Sequence, residues 1–378
     1  MAGEPPDFAA EGLLEGLRGD EREAREELLR QLYEAGAPLE ELRRAADEDR
    51  LALLPVELVL GGEGRYSARE LAEAAGQDED ALQRQWQALG LSMPEDLDAK
   101  VFSDEDIEAA RRAKLIVEAG FPEDGRLEVS RVIGEAMSRV AAAVRNLTAE
   151  NLLQPGDTER DVGLRYARLA REVAPLLGPT LEYVLNRHLV EQIRDDVISR
   201  AGLQAGQRHP DARDMSICFA DLTGFTRLGE VAPLERVGAI AGRLAALASE
   251  VAGGQVRLIK TIGDAAMLVS PEPAPLVQAA LALVEAADAE GEDFPQLHAG
   301  VALGPAVSRA GDWYGHAVNV ASRIAAVAWP GSVLCDGNVH DAAPDAFRWS
   351  RTRERRLKGV KRPVRLWRAR PVEADGAT

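Results

Sequence analysis

The chain has 378 residues, of which 46% are apolar, and it carries a formal net charge of −18. The length allows two or three domains, and the composition is typical of a globular protein. The negative charge disfavours nonspecific binding to DNA or anionic lipid, so we expect no nucleic-acid partner.

Features that would direct the chain into or across a membrane are missing from its sequence pattern. No run approaches the roughly 20 apolar residues that a membrane span requires. The acidic stretch from Met1 to Gly16 lacks the basic start and apolar run of a signal peptide. Cys218 and Cys335 lie in strand-like apolar runs, which favours buried thiols over a disulfide. We therefore expect a cytoplasmic protein with no membrane span.

Residues 1–202 predict helices almost throughout, because Glu, Arg, Ala and Leu dominate and alternating patterns are rare. Ser67 to Glu70 has a capping-box pattern that opens a short helix ending at Gly76. A second helix follows, which gives the outline of a helix-turn-helix. Its segment Gln77 to Leu89 offers one cation, Arg84, against three acids, so we interpret the pair as a packing motif.

Further amphipathic patterns predict three separate helices, at Val132–Leu153, Asp161–Ala174 and Pro179–Gly202. The last of them carries apolar residues at intervals of four, namely Leu185, Leu189, Ile193 and Val197. Such a stripe indicates a core or a dimer seam, and a pocket for a small or apolar ligand is the alternative. The polar segment 203–213 then predicts a linker.

From Asp214 onward the pattern alternates between strands and helices. Predicted strands are Ser216–Ala220, Val256–Ile262, Ala265–Val269, Leu297–Leu303 and Ser332–Cys335, with two more near Arg356 and Val364. Predicted helices are Pro233–Val251, Pro275–Ala289 and Gly315–Ala328. The order β-α-β-β-α-β plus extra elements predicts an α+β ferredoxin-like domain at 214–378, after an all-α domain at 1–202.

Two aspartates stand where predicted strands end. Asp221 follows a strand and precedes a Gly-containing turn, and Asp264 lies at the tip of the Gly263-Asp264 hairpin. If these strands are neighbours the carboxylates meet, and hard oxygen ligands of this kind suit Mg²⁺ or Mn²⁺. The alternative is that Asp221 caps a helix and Asp264 is an ordinary turn residue.

A second group of candidates surrounds the helix predicted at Gly315–Ala328. Asn319 and Arg323 are one turn apart on one face, where an amide and a guanidinium can bind ribose and phosphoryl oxygens. The opposite face is apolar and can pack on a sheet, through Val318, Ala321 and Ala325. The alternative for Asn319 and Arg323 is a solvated surface.

Lys260, near a strand end, and Asp312, in a predicted loop, form a third pair of candidates. An aspartate accepts a hydrogen bond from the amine of adenine, and a lysine donates one to a ring nitrogen, provided that the two side chains converge. Lys358 lies in a basic C-terminal segment, 351–370, and can reach a terminal phosphate. Solvated surface groups are the alternative for all three.

Three segments, taken in order, resemble the class III nucleotidyl cyclases. Phe219-Ala-Asp-Leu-Thr-Gly-Phe-Thr226 resembles the first metal motif of that family. Lys260-Thr-Ile-Gly-Asp264 resembles its substrate-lysine and second-metal motif. Asp312-Trp-Tyr-Gly-His-Ala-Val-Asn319-Val-Ala-Ser-Arg323 resembles the segment that carries the base-selecting aspartate and the transition-state residues. The resemblance covers roughly 214–370.

This resemblance implies an adenylate cyclase, a phosphorus–oxygen lyase that converts ATP to cyclic AMP and pyrophosphate. It implies two divalent cations, Mg²⁺ or Mn²⁺, held by Asp221, Asp264 and the carbonyl of Leu222. It implies further roles in the reaction: Asn319 and Arg323 for the ribose and the transferring phosphoryl group, Lys260 and Asp312 for adenine, and Phe225 and Thr226 for other substrate contacts.

The family places each site between two cyclase domains, one giving the metal carboxylates and the other giving the remaining residues. Because one chain carries both sets, the resemblance implies a homodimer with two sites. The region 1–202 more weakly resembles the helical regulatory domain of some actinobacterial members, which implies autoinhibition and a response to acid pH. A guanylate cyclase, a pseudo-enzyme, a DNA-binding regulator and a ligand-sensing scaffold remain as alternatives.

Overall fold

A computed structural model describes residues 5–152, 156–202, 212–360 and 363–372. The chain forms two compact units, 1–202 and 203–378. Each unit has hydrophobic cores of its own. Within the described ranges, no helix combines the length and apolar character that crossing a membrane requires.

The first unit is helical, as predicted. Its helices are α1 (Gly19–Glu34), α2 (Leu39–Asp47), α3 (Leu54–Leu60), α4 (Ala68–Ala75), α5 (Glu79–Ala88), α6 (Asp104–Glu118), α7 (Glu123–Leu152) and α8 (Glu159–Gly202). The predicted capping box is present before α4, where Ser67 and Glu70 satisfy each other's backbone N–H groups. Gly76 ends α4 in the left-handed conformation that glycine adopts without steric cost.

The long helix α8 corrects the prediction of two helices in this region. Asp161–Ala174 and Pro179–Gly202 belong to one helix, which contains both Pro175 and Pro179. A proline inside a helix removes one backbone hydrogen bond, and it can kink the helix without ending it. The described residues of the first unit do not cover the apolar stripe, since Leu185 and Ile193 are 58% and 60% exposed. The side chain of Val197 lies outside the described residues, as does most of the predicted linker, while 212–213 belong to β1.

The second unit is built on one eight-stranded sheet. Its strands are β1 (Ala212–Leu222), β2 (Arg257–Ile262), β3 (Ala265–Ser270), β4 (Leu297–Arg309), β5 (Asp312–Gly315), β6 (Ser332–Asp336), β7 (Arg348–Arg351) and β8 (Leu366–Arg370). Its helices are α9 (Phe225–Val231), α10 (Leu234–Val251), α11 (Pro273–Ala289), α12 (His316–Ala325) and α13 (Gly337–Ala342). The strand order is β2-β3-β1-β4-β6-β8-β7, with β5 paired to β4. Its first four strands have the ferredoxin-like arrangement, which confirms the predicted fold class.

Two hydrophobic clusters cover the two faces of this sheet. On one face, which we call the α10–α11 face, Leu244 of α10 and Leu283 of α11 pack on Cys218 and other even-numbered residues of β1. On the opposite face, the α12 face, Ile324 of α12 packs on Ile217. Side chains alternate along β1, so odd-numbered residues of this strand belong to the α12 face. The two cysteines are buried free thiols, as predicted.

Two sequence-based predictions near the end of the chain are wrong. The sequence predicts Asp312 in a loop, but this residue begins strand β5, which forms a hairpin with β4. The turn consists of Ala310 and Gly311, both with positive φ, whereas hairpin turns of this kind usually begin with Asn, Asp or Gly. The sequence also predicts strands near Arg356 and Val364, but the last strands are Arg348–Arg351 and Leu366–Arg370. Near the predicted positions there is an isolated bridge between Arg355 and Val364.

Candidate active site

The two predicted carboxylates lie side by side at one end of the sheet. Asp221 is the second-last residue of β1 and pairs with Ala265, the first residue of β3. Asp264 occupies the β2–β3 turn directly before it, and its carbonyl accepts a hydrogen bond from Leu222 N–H at 3.0 Å. Gly263 has a φ of 60°, as the first position of such a tight turn requires. The hairpin prediction is therefore confirmed, and the turn delivers Asp264 to Asp221.

The two carboxylates lie close enough for Asp264 to help raise the pKa of Asp221. Burial, the negative charge of Asp264 and a hydrogen bond with Asp264 together raise the pKa of Asp221 to about 6. Two carboxylates that share one half-buried place resist being ionised together. A divalent cation with a preference for hard oxygen ligands would remove this repulsion, so the donor set fits Mg²⁺ or Mn²⁺. No group of three His, Cys, Asp or Glu side chains within the described ranges adds a further ligand set.

His298 adjoins this pair, although its sequence context indicates no role. It lies opposite Asp221 in the β1–β4 register, and its Nδ1 is 3.0 Å from the Thr223 hydroxyl. Burial lowers the pKa of His298, and the charge of Asp264 opposes that shift. A single histidine carries no spacing signal, so only strand pairing could have found it.

A β-bulge determines where Lys260 points. Leu258 pairs with Leu268 and Lys260 pairs with Met267, so Ile259 is an extra residue in β2. Without the bulge, alternation would turn Lys260 to the α10–α11 face together with Leu258. Because Met267 belongs to the α12 face, the bulge brings Lys260 to that face.

Asp312 meets Lys260 there, although they lie on strands that do not pair. The Lys260 ammonium and the Asp312 carboxylate form an ion pair that is also a hydrogen bond. The neighbouring Trp313 is buried among α12-face residues of β1 and β3, so the β4–β5 hairpin returns over that face. The two side chains therefore converge, which is the condition that the sequence-based hypothesis set.

The helix α12 presents Asn319 and Arg323 as its sequence predicts. Both are exposed, while its apolar side packs on the sheet through Ala321 and Ile324. Gly300 of β4 permits this close packing, since an added Cβ would lie 2.1 Å from a backbone nitrogen of α12. Within the described residues, Asn319 and Arg323 make no hydrogen bond or ion pair with the other candidates. The single chain thus carries the Asp221–Asp264 pair, the Lys260–Asp312 pair and the α12 residues on one face, but in the described part of the chain no hydrogen bond or ion pair joins the α12 residues to the two pairs.

The remaining candidates lie at the borders of this face. The side chain of Leu222 is buried, and Phe225 at the start of α9 packs against the α10–α11 cluster. Thr226 is exposed on α9. Lys358 is exposed in a turn next to Leu357, a buried residue of the α12-face cluster. Their predicted substrate and metal contacts stay predictions.

Comparisons with known proteins agree with this geometry. The family described as adenylate cyclase regulatory domain matches residues 6–193, and the family described as adenylate and guanylate cyclase catalytic domain matches residues 208–368. A protein of Mycobacterium tuberculosis named pH-sensitive adenylate cyclase is 43% identical, over 97% of this chain and 93% of its own length. An adenylate cyclase of Streptomyces coelicolor is 32% identical, over 76% of this chain and 74% of its own.

These similarities run through both units, and the matched catalytic region contains all of the candidate site residues. The chain therefore belongs to the class III nucleotidyl cyclase family, as a member with an N-terminal adenylate cyclase regulatory domain.

Proposed function

We propose that this enzyme converts ATP to 3′,5′-cyclic AMP and pyrophosphate. The observation that supports this most strongly is the meeting of Lys260 with Asp312 on the same sheet face as Asp221 and Asp264. A carboxylate beside an ammonium offers one acceptor and one donor in fixed relative positions. Adenine needs both, at its exocyclic amine and at a ring nitrogen, whereas guanine carries a carbonyl where adenine carries the amine.

The carboxylate pair is the proposed binding place for two divalent cations, Mg²⁺ or Mn²⁺. Asp221, Asp264 and the carbonyl of Leu222 would hold them. When bound, such cations lower the pKa of an attacking hydroxyl and neutralise phosphate charge. The protein positions the carboxylates through β1–β3 pairing and the Leu222–Asp264 hydrogen bond, so little reorganisation is required at the moment of binding.

Asn319 and Arg323 are the proposed transition-state residues. The amide of Asn319 would orient the ribose, and the guanidinium of Arg323 would donate to the phosphoryl oxygens as charge develops on them. Both lie on the exposed side of α12, whose buried side fixes the helix on the sheet. Phe225, Thr226 and Lys358 are proposed to contact other parts of the nucleotide.

A homodimer would bring these groups together. The helix α12 packs on β1, β4 and β6, and among the described residues of this unit no helix covers the β2–β3 end of its face. Ile262 of β2 and Tyr314 of β5 are large and apolar, yet 56% and 55% exposed. A second copy that covered this end would bury them and could bring its own Asn319 and Arg323 to the carboxylates.

The assay of the reaction is cyclic nucleotide formation from ATP and from GTP with Mn²⁺, by the full chain. We expect cyclic AMP from the wild type and a loss of at least about 10²-fold in Asp264→Ala. Asp345→Ala, an exposed aspartate of the same unit, is the matched control and should retain activity. Product from GTP alone, or equal turnover by Asp264→Ala, would contradict the proposal.

A mixing experiment tests the shared site. Asp264→Ala and Asn319→Ala should each be inactive as homodimers. Mixed dimers would contain one site with both intact residues, so the mixture should regain about a quarter of wild-type activity by random pairing. If each chain completed its own site, every site in the mixture would carry a substitution and no activity would return.

We further propose that the unit 1–202 regulates turnover, responds to pH and binds an apolar ligand. It contains an apolar cavity of about 430 Å³ between α5, α6 and α7, lined by residues such as Leu89, Ile116 and Ile133. The relative named pH-sensitive adenylate cyclase aligns over both units. Residues 212–378 alone should differ from the full chain in pH profile, and identical profiles would contradict regulation by the first unit.

A further inference from the structure

The β7–β8 ribbon carries a group of arginines at the end away from its connecting segment, and the proposed reaction does not use them. Arg348, Arg368 and Arg370 line a cavity of about 370 Å³ where β8 ends and β6 begins. Arg348 lies directly opposite Arg370 in the β7–β8 register. The cavity has an apolar wall, which includes Leu281 and Val284 of α11.

Among the described residues, the hydrogen-bond acceptors of Arg368 and Arg370 are neutral oxygens. Arg368 Nη2 lies 3.4 Å from the Gly331 carbonyl, and Arg370 Nη1 lies 2.9 Å from the Ser350 hydroxyl. Within the described ranges neither has a carboxylate at ion-pair distance, and no carboxylate lines the cavity. Arg243 of the same unit, by contrast, pairs with both Glu250 and Glu290. In a chain with net charge −18, the lack of a described acidic partner at both Arg368 and Arg370 needs an explanation other than composition.

Protection of a sheet edge does not supply that explanation. Charged residues on an edge strand discourage pairing with other chains, and β7 is the edge. Arg368 and Arg370 are on β8, however, which pairs with β6 on one side and with β7 on the other. Arg368 and Arg370 are two residues apart on β8 and both line the cavity, so their positive charges repel each other and an anion bound between them would be stabilised.

We propose that this cavity binds a small molecule bearing a phosphate or pyrophosphate group. Each guanidinium presents a planar fork of donors that matches two oxygens of a phosphate, and several such groups suit an anion with several oxygens. The wall formed by Leu281 and Val284 accommodates an apolar portion of the same molecule. Two sources share this chemistry, an inorganic polyphosphate and an organic phosphate such as a nucleotide.

The site is separate from the proposed catalytic groups. Lys260 lies on β2, and β8 lies five strands away in the sheet order, which corresponds to about 24 Å at ordinary strand spacing. Lys358 lies in the connection between β7 and β8, whereas Arg348 and Arg370 are at the opposite end of that ribbon. Occupancy can therefore be measured with the metal carboxylates disabled.

The test is calorimetric titration of inorganic pyrophosphate, and separately of ADP, into full-length Asp264→Ala protein with a metal chelator present. We expect binding that weakens at least about tenfold in Arg368→Gln/Arg370→Gln, since two charge-assisted contacts are lost. Arg351→Gln/Arg353→Gln removes the same charge from the same ribbon outside the cavity, and it should change affinity less than about twofold. The binding that is lost in Arg368→Gln/Arg370→Gln is the binding to the cavity. If this component is tighter for ADP than for pyrophosphate, the ligand is an organic phosphate, and the reverse order identifies an inorganic one.

Equal weakening by both double variants would overturn the proposal, because it would indicate a diffuse charge effect. Absence of binding of either probe at millimolar concentration would overturn it as well. If the first double variant does not fold, Arg370→Gln alone serves in its place. Its side chain is exposed and, among the described residues, donates to the Ser350 hydroxyl, so the fold should tolerate the change.

Discussion

The two faces of the catalytic sheet are built from the same strands but differ in how completely the chain covers them. On the α10–α11 face, side chains from two long helices and the strands bury one another, as Leu244 and Leu283 do. On the α12 face a ten-residue helix covers only part of the sheet, and polar groups stand among the apolar ones. Lys260, Asp221 and Arg323 all belong to this second face.

Because of this difference, residues that stabilise the fold alternate along a strand with residues proposed for the reaction. Adjacent residues of β1 serve different ends, because Ala220 is fully buried in a core and Asp221 is half-buried beside another carboxylate. In the proposed function this surface admits a nucleotide and a second subunit, so the chain's own helices leave it open. We therefore expect substitutions on the α10–α11 face to change the free energy of unfolding, and substitutions on the α12 face to change turnover.

The largest effect is expected at Arg323. Arg323→Ala should lower kcat by about 10²- to 10³-fold, because the proposed donor to the developing phosphoryl charge is removed. The free energy of unfolding should stay within about 0.5 kcal/mol, since the side chain is exposed and makes no ion pair among the described residues. Steady-state kinetics and urea denaturation measure the two quantities. The control is Arg353→Ala, an exposed arginine of the same unit; equal losses in the two variants would contradict the role.

A matched pair of core truncations sharpens the comparison. Leu283→Ala on α11 and Ile324→Ala on α12 both remove fully buried side chains, so each should cost about 2–5 kcal/mol of unfolding free energy. Only Ile324→Ala should also lower kcat per folded molecule, because α12 carries Asn319 and Arg323. Denaturation followed by kinetics at a temperature where both variants are folded distinguishes them. Equal kcat in both would mean that α12 does not position the reaction.

Gly300→Ala tests how closely α12 must sit on β4. The new Cβ would lie 2.1 Å from the backbone nitrogen of Ala325, so the helix must move outward. Overpacking of this kind costs about 1–3 kcal/mol, and here the displaced element carries Asn319. We expect lower stability together with lower kcat. Gly304→Ala is the control, because its added Cβ would meet its nearest neighbour, the Ala317 side chain, at an ordinary 3.7 Å.

Local patterns in the sequence are sufficient to predict several features of the site. The i, i+4 spacing of Asn319 and Arg323 predicts that they share an exposed helix face, and the structure agrees. Gly263-Asp264 predicts the hairpin that carries Asp264, because a glycine there suits the turn. The βαββαβ order likewise follows from the periodicity of apolar residues, because each strand or helix has its own apolar face to bury.

Other features depend on pairing between distant strands and carry no local pattern. The bulge at Ile259 turns Lys260 to the α12 face, but nothing in the residues around it distinguishes a bulge from a regular strand. The β4–β5 hairpin uses Ala310 at a position with positive φ, where a typical hairpin signal would have Asn, Asp or Gly. The sequence pattern therefore places Asp312 in a loop, even though it marks both Asp312 and its partner Lys260 as candidates.

The smallest expected effect on turnover concerns Asp336, a buried carboxylate at the end of β6. Burial raises the pKa of Asp336 to about 6, even though backbone N–H groups of Val339 and Leu303 donate to it. Because the folded state holds this proton more tightly than the unfolded state, the contribution to stability is complete below about pH 4. It is lost as the pH rises to about 6 and beyond. Over that interval the wild type should lose up to about 3 kcal/mol relative to Asp336→Asn.

Asp336→Asn keeps an oxygen that can accept from Val339 N–H and removes only the titration, so the two stability curves should diverge between acid and neutral pH. Urea denaturation at a series of pH values measures that divergence. Parallel curves would mean that Asp336 is as well solvated in the folded chain as in the unfolded one. Turnover per folded molecule should be the same in both proteins, because Asp336 caps α13 and touches none of the proposed catalytic groups. A change in stability without a change in kcat is the behaviour expected of a residue that supports the sheet and takes no part in the reaction.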